Sequence, residues 1–451
     1  MAQTTYELSD HDKGGFTKSV KAVLFYDLDG ADPEPVVSSF QEGVKNAIRH
    51  LSFMAGNLQI NESGKVTIVT SSESTMEVIV RRFTPPELPS FSDIAKDSFN
   101  PDTLDLAPFL PEEPTTNPVA IIQLNILDGG LAVGFRINHA AGDWVSIDTF
   151  LSLVCQSTKA HQEGNAPPAP LHAVDLNRAP FNAPPRNPDI AQEDHLAHLP
   201  LFHVIEKSKF LFNPPPPART GIFRITESTV QKLKEETKPH LTGVEYITSY
   251  DIIAAIFWTA LTRARVQTRP EKGDASSRFV HPIDVRSRDP ENKSSPGYFG
   301  NAVIGSLAGP LSAKDLTKND IPTLALAASH IRQSIQAISI SSIAHMIALQ
   351  ASLSGSEMLI PNADFADMDL FMNTWYSGTR ENYDLGGVAG PGPVAFRVSA
   401  GMMGACVGIL PNLSRVGEGE RVFEAYFQTE VGEFDAVLMD GGFLGVVEYV
   451  V

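Results

Sequence analysis

The sequence predicts an α/β fold built as two similar-sized domains, each containing a sheet, and three observations carry that prediction. At 451 residues the chain is too long for one ordinary core and suits two or three domains. Segments with the two-residue rhythm of strands are interleaved along it with segments of helical period. A proline-dense stretch then divides it: between Pro167 and Pro217 lie 12 of the 33 prolines, ending in Pro214-Pro215-Pro216-Pro217. Proline removes a backbone donor and fixes φ, so neither a long helix nor a central strand fits there. Residues 167–217 therefore read as a crossover between a domain at 1–166 and one at 218–451. A disordered tail is the weaker reading, because Leu199 to Leu211 carries enough bulky side chains to pack.

In the first domain a strand is expected over Val20–Leu28. An amphipathic helix follows over Val36–Ala55, with Phe40, Val44, Ile48 and Leu51 on one face and Gly56 just past its end. Lys65–Val69 and Met76–Val80 suggest a hairpin. Val119–Leu127 reads as a strand, and Asp128-Gly129-Gly130 suits a tight reversal into an antiparallel neighbour. In that neighbour Leu131, Val133, Phe135 and Ile137 alternate toward a core. The rhythm then turns helical, with Trp144, Ile147, Leu151 and Val154 on one stripe and Asp143 placed as an N-cap. Beyond the crossover, a strand is expected at Gly221–Ile225, helices at Ser228–Glu236 and Ser249–Arg265, and a strand at Phe279–Val285. A long helix over about Leu324–Leu353 comes next, then strands at Asp369–Trp375, Val394–Val398, Ala405–Leu410 and Phe423–Gln428.

The formal charge of −18 argues against nucleic acid as a partner, since phosphate binding needs a basic surface. Cys155 and Cys406 each sit in an apolar run, which fits a reducing compartment without disulfides. The N-terminus shows no secretory signal and no stretch approaches 18 apolar residues, so a cytosolic protein with no membrane partner is expected. The signatures Gly-x-Ser-x-Gly, His-Glu-x-x-His, Walker A and Cys-x-x-Cys do not occur, and Gly390-Pro391-Gly392 is no dinucleotide fingerprint. No metal is implied.

The segment that carries chemistry is His139-Ala-Ala-Gly-Asp143. With 12 histidines in the chain, a His-x-x-x-Asp spacing arises by chance about once, so the spacing is weak by itself. Its setting says more: a rigid strand delivers His139 into a loop, where an imidazole can take a proton at neutral pH and return it. A satisfied core histidine is the plain alternative. Asp143 either orients the imidazole or caps the helix and pairs with an arginine, and the second role is favoured, with Arg286 or Arg288 as partner.

These landmarks in this order resemble the BAHD acyltransferases, CoA-dependent enzymes that acylate alcohols and amines, and within them a fungal branch of trichothecene 3-O-acetyltransferases. The resemblance covers nearly the whole chain. It is carried by Phe53-Met-Ala-Gly-Asn57, by His139 to Asp143, by Thr248-Ser249 with Trp258, by Asp284-Val-Arg286-Ser-Arg288, by Tyr298-Phe-Gly300-Asn301, and by Asn373-Thr374-Trp375. It implies two chloramphenicol-acetyltransferase-like domains with a channel between them, and a part of about 350–385 crossing back to the first sheet. By the same resemblance His139 is the general base. Thr374 or the Trp375 indole would face the oxyanion, and Arg286, Arg288, Tyr298, Gly300 and Asn301 would lie on the side of the CoA donor. His281, on the strand before the arginines, reads as incidental.

The stretch Asp384-Leu385-Gly386-Gly387-Val388 departs from the family's Asp-Phe-Gly-Trp-Gly or Asp-Phe-Gly-Leu-Gly. Asp384 and Gly386 remain, in a loop whose aspartate the resemblance pairs with an arginine. The expectation is thus a monomeric O-acyltransferase with acyl-CoA as co-substrate, no permanently bound cofactor, and a hydroxylated fungal metabolite, terpenoid or alkaloid, as acceptor. N-acylation stays open as the same chemistry on an amine. The alternatives are a weakened relative that only binds a metabolite, and a condensation-type enzyme; the latter would carry a second histidine where this chain has Asn138.

Overall fold

The computed structural model describes residues 3–15, 18–61, 65–170, 173–183, 190–211, 216–288, 295–376, 379–399, 404–414 and 419–451. Two large sheets organise it. The first has five strands, ordered Ala395–Val398, Ser19–Asp27, Gly130–Asn138, Ala120–Leu127 and Val78–Arg82. Its three central strands are antiparallel, with Leu24 opposite Val133 and Val133 opposite Leu124. The helices Glu34–His50 and Trp144–Gln162 cover one face, burying Val36, Phe40, Val44, Ile147, Leu151 and Val154 against Leu24, Val133 and Phe135. Residues 91–110 cover the other through Phe91, Phe99 and Phe109. The His139 strand is thus buried on both sides. It runs so close to this cover that a Cβ on Gly134 would fall 1.8 Å from the Phe109 carbonyl oxygen.

The second sheet has seven strands, in the order Val303–Ser312, Ser276–Asp284, Leu370–Thr374, Cys406–Ile409, Val422–Glu430, Ala218–Thr226 and Glu448–Tyr449. Alternation assigns its faces. Phe223, Val407 and Phe427 pack on the helices Ser249–Thr268 and Ile321–Ala337, while Ile222, Cys406 and Tyr426 join the first domain's core. The two domains therefore share apolar surface, which is the strongest reason for a fixed mutual orientation.

Three expectations need correction. Val66–Ser71 and Val78–Arg82 do not form a hairpin: the first lies in a three-stranded sheet between Gln3–Glu7 and Asn57–Ile60, and the second pairs in parallel with Ala120–Leu127. The alternation was that of strands, but nothing local specifies a partner. The long helix is two, Ile321–Ala337 and Ile340–Ser352, turned 73° apart. Ile338 is extended there, the Ser339 N–H donates to Ser342 Oγ, and the Arg288 guanidinium takes the Ile335 and Ile338 carbonyls that a continuous helix would use itself. The segment returning to the first sheet lies later than 350–385: Leu370–Thr374 stays in the second sheet, and Ala395–Val398 pairs with Ser19–Asp27. Its approach runs from Thr379 and overlaps the expected stretch only at the end.

Within the crossover the short helix Gln192–Leu196 precedes the strand Phe202–Glu206, which pairs with Glu357–Pro361 in a separate two-stranded ribbon. Its position at the edge agrees with what proline allows. Pro184 to Asn187 and Pro214-Pro215 lie outside the described residues.

Arg397 locks the returning strand in place. Its buried guanidinium donates to the Phe99 and Ser98 carbonyls of the first domain (2.7 and 2.9 Å) and to Glu424 of the second sheet (2.9 Å). Arg397→Met keeps the volume but strands these acceptors, and is expected to cost about 3 kcal/mol in urea unfolding. A loss under ~1 kcal/mol would show that the bridge is dispensable.

Candidate active site

Asp143 is the N-cap the sequence reading placed there: φ is −82°, ψ is −172°, and its carboxylate accepts from the Ser146 N–H. It does not orient the imidazole. Both oxygens are taken by Arg286, each at 2.8 Å, in a bidentate pair that is nearly dry, and the Ala302 N–H adds a third contact at 2.9 Å. Arg286 is the arginine of the pair that reaches Asp143; Arg288 spends its charge on helix carbonyls. Burial opposes the charge on Arg286, but Asp143 and Asp284 outweigh it and hold its pKa above the ordinary value.

His139 is held from the other direction. Its backbone N–H donates to the Lys18 carbonyl at 2.8 Å, and Nδ1 lies 3.0 Å from Asn301 Oδ1. The Asn301 amide cannot be turned over, because its Nδ2 donates to the His139 carbonyl and to Asp12 Oδ1, both at 2.8 Å. The oxygen facing the ring can only accept. Nδ1 therefore carries the hydrogen, and Nε2 keeps a free lone pair, which is what a general base needs. Asp12 in turn is fully buried and also takes the Asn301 N–H, Ser9 and Arg178.

His139 opens onto a cavity of about 290 Å³ walled by both domains. His11, Lys18 and His139 come from the first, Phe202 from the crossover, and Asn301, Val303, Ile304, Gly305, Met346, Gln350 and Leu359 from the second. The 73° turn between the two helices is what brings Met346 and Gln350 to it.

Several residues expected beside the donor are engaged by other side chains and carbonyls of the protein. Arg286 is buried and saturated by Asp143, Asp284 and the Tyr298 and Gly300 carbonyls. Tyr298 is buried, its ring against Phe181 and its hydroxyl taken by Arg178. Gly300 leaves room for the Arg178 guanidinium, which would lie 1.7 Å from a Cβ there and would have to move to admit one. Arg288 is a helix cap, and Asn301 holds the His139 ring and carbonyl. The structure brings these residues together around the turn after His139.

Thr374 and Trp375 end the strand Leu370–Thr374. The Tyr376 N–H donates to Thr374 Oγ1 at 3.2 Å, leaving the hydroxyl hydrogen free, and the Trp375 ring stacks on Tyr426 and meets Trp144 edge-on at 6.4 Å. Neither borders the 290 Å³ cavity. Asp384 pairs with Lys159 at 2.7 Å, not with an arginine, while the Gly386 N–H donates to its other oxygen. Lys159 is 16 residues along the helix from Asp143, about 24 Å at 1.5 Å per residue. The altered loop is therefore a remote clasp, and its changed residues do not touch the His139 centre. Both cysteines are buried, which pushes their thiols up to about 12 and removes them as nucleophiles.

A model of the Transferase family matches residues 1–386. The chain belongs to this family, the BAHD acyltransferases. Among curated relatives, the acyltransferase GLAUCE of Arabidopsis thaliana is 22% identical over 330 residues, 66% of each chain. Trichothecene 3-O-acetyltransferase of Fusarium sporotrichioides is 24% identical over 289 residues, 59% of this chain and 60% of that one. The chain thus spans about two thirds or less of the length of these relatives. In three dimensions the fold is that of F. graminearum TRI101 complexed with coenzyme A and T-2 mycotoxin, at a TM-score of 0.79 and 18% identity over 99% of both chains. Vinorine synthase is similar at 0.64 and 15%, over 99% of this chain and 98% of the other.

Sequence reading missed Asp12, Ser146 and Arg178, which complete the support. Ser146 could have been suspected as the third residue of a capped helix. Asp12 and Arg178 have no local signal of this role, because the partners that tie them to the site, Asn301 and Tyr298, lie more than 100 residues away.

Two outcomes test this description. Asp143→Asn leaves buried Arg286 with only the half-exposed Asp284 as counter-charge and is expected to cost about 3 kcal/mol in urea unfolding, while the folded fraction keeps turnover; normal stability with abolished turnover would overturn the structural role. His281 is fully buried between Tyr250 and Ser334, each at 2.9 Å, and burial, then Arg332 and Arg288, push its pKa down to about 3. The unfolded chain takes up that proton near pH 6.5, so this contribution is fully present above 6.5 and is lost as pH falls toward 3. Between pH 7 and 5 the loss from His281 is expected to reach ~2 kcal/mol, and His281→Gln should flatten the slope accordingly; an unchanged slope would refute it.

Proposed function

We propose that this protein is a CoA-dependent O-acyltransferase that moves an acyl group, acetyl in the simplest case, from acyl-CoA to a hydroxyl of a terpenoid or alkaloid, with His139 as general base in a ternary complex. The observation that carries the reading is the tautomer of His139, whose Nδ1 is committed to Asn301 Oδ1 at 3.0 Å while Nε2 is left for the cavity. The choice of co-substrate is supported by fold relatives complexed with coenzyme A and with T-2 mycotoxin or deoxynivalenol. The choice of acetyl and oxygen is supported by the trichothecene 3-O- and 8-O-acetyltransferases among the sequence relatives.

A thioester is already activated, so the enzyme must place the acceptor and strip its proton. Nε2 takes the hydroxyl hydrogen as the oxygen bonds to the thioester carbon. The resulting tetrahedral oxyanion collapses, the C–S bond breaks, and the imidazolium returns its proton to the departing thiolate. Thr374, with its free hydroxyl hydrogen, or the Trp375 indole N–H would stabilise the oxyanion once substrates are bound. Asp143 and Arg286 contribute by holding the strand end, not by touching the reactants.

The test is release of free thiol from acetyl-CoA and longer acyl-CoAs against a panel of hydroxylated terpenoids and alkaloids. His139→Ala is expected to lower kcat at least about 100-fold. Release that persists in this variant would remove His139 as base, and silence from every pairing would leave a protein that only binds its metabolite.

A further inference from the structure

A second imidazole shares the His139 cavity, and the acyl-transfer step leaves it without a task. His11 Nε2 lies 2.8 Å from the Val303 carbonyl oxygen. A carbonyl only accepts, so Nε2 carries the hydrogen and Nδ1 is left as an acceptor. Burial is the chief influence on this ring; the Val303 bond and the carboxylates of Asp12 and Asp143 oppose it, and the net effect keeps the pKa below the ordinary value, which favours the neutral tautomer. Among the described residues no side chain donates to Nδ1, although the ring forms part of the cavity wall.

Both imidazoles line the same cavity, each keeps one ring nitrogen to which no side chain among the described residues donates, His139 Nε2 and His11 Nδ1, and the wall beside them is apolar at Phe202, Met346 and Leu359. A guest with one hydroxyl can satisfy one of them. The other would face the guest with no donor to accept from, and a site built to bind a hydroxyl rejects the analogue that lacks it for this reason. We infer that His11 is a specificity-determining residue that accepts a hydrogen bond from a second hydroxyl of the acceptor, so that the substrate class is a diol or polyol whose two hydroxyls lie on the same side of its skeleton. This inference rests on the acyl-transfer reading and narrows it. His139 deprotonates one hydroxyl; His11, already locked by Val303, orients the molecule through the other. The apolar wall suits the carbon skeleton between them.

The experiment pairs a diol acceptor with its deoxy analogue that keeps the acylated hydroxyl, and reads the ratio of their kcat/KM values with acetyl-CoA. The wild-type protein is expected to favour the diol about 10- to 100-fold. His11→Phe fills the space without an acceptor and should bring the ratio near one; His11→Gln, which restores an acceptor oxygen, should recover part of it. A wild-type protein that does not distinguish the pair, or a His11→Phe protein that keeps the full preference, overturns the inference. Should His11→Phe fail to fold, the wild-type ratio and His11→Gln still decide. Calorimetric titration of the same two acceptors without acyl donor separates the two levels: a diol preference in binding that vanishes in His11→Phe supports the role of His11 even if no thiol is released, whereas thiol release without any diol preference leaves acyl transfer standing and removes His11.

Discussion

A guanidinium and a carboxylate shut away from water, Arg286 on Asp143, are the constraint on which the centre of this protein depends. Two charges taken out of water are costly unless every lone pair and hydrogen finds a partner. Here the fork is bidentate, and Ser146, Ala302, Tyr298 and Gly300 complete the bonding. Because Asp143 heads the helix behind His139 and Arg286 follows a strand of the second sheet, satisfying the pair fixes the turn after His139 against the other domain. The arrangement tolerates little displacement, since any shift leaves a buried charge unpaired.

A second polar block reaches the same turn from the N-terminal residues. Asp12 holds Asn301, Asn301 holds the His139 ring and carbonyl, and Arg178 from the crossover closes the block over Tyr298. Four distant stretches of chain thus meet around one imidazole. Each hydrogen bond removes an ambiguity: Asp12 sets which way the Asn301 amide faces, the amide sets which nitrogen of His139 is protonated, and that leaves the basic lone pair on the cavity side. Chemical readiness here is a property of the domain interface and not of the motif alone.

The apolar framework makes such precision possible. Both large sheets are covered on both faces, and the second uses one face for its own helices and the other for the first domain. Arg397 adds a polar bolt between the same two bodies. With orientation set by burial, the polar groups at the seam have only angles to settle. The remote loop at Asp384, clasped by Lys159 and Gln162, holds the far end of the Trp144 helix, so sequence changes there reach the His139 turn only through the helix.

What the chain's own order of residues determined is the part governed by short-range physics. Alternation at Leu131 to Ile137 marks a strand, the Asp128-Gly-Gly130 reversal marks its antiparallel neighbour, and Asp143 marks a helix start; all three depend on neighbours within a few positions. The proline-dense stretch announced a division for the same reason, and the family resemblance located the groups that gather at the seam. Only the tertiary structure decided which groups pair. The strand at Val78 chose a parallel partner 44 residues on, the helix broke where Arg288 claimed its carbonyls, Asp384 took a lysine, and Arg286 and Asn301 turned inward to Asp143 and His139. Hydrogen-bond partners across more than a hundred residues follow from how surfaces meet, and periodicity carries no record of that.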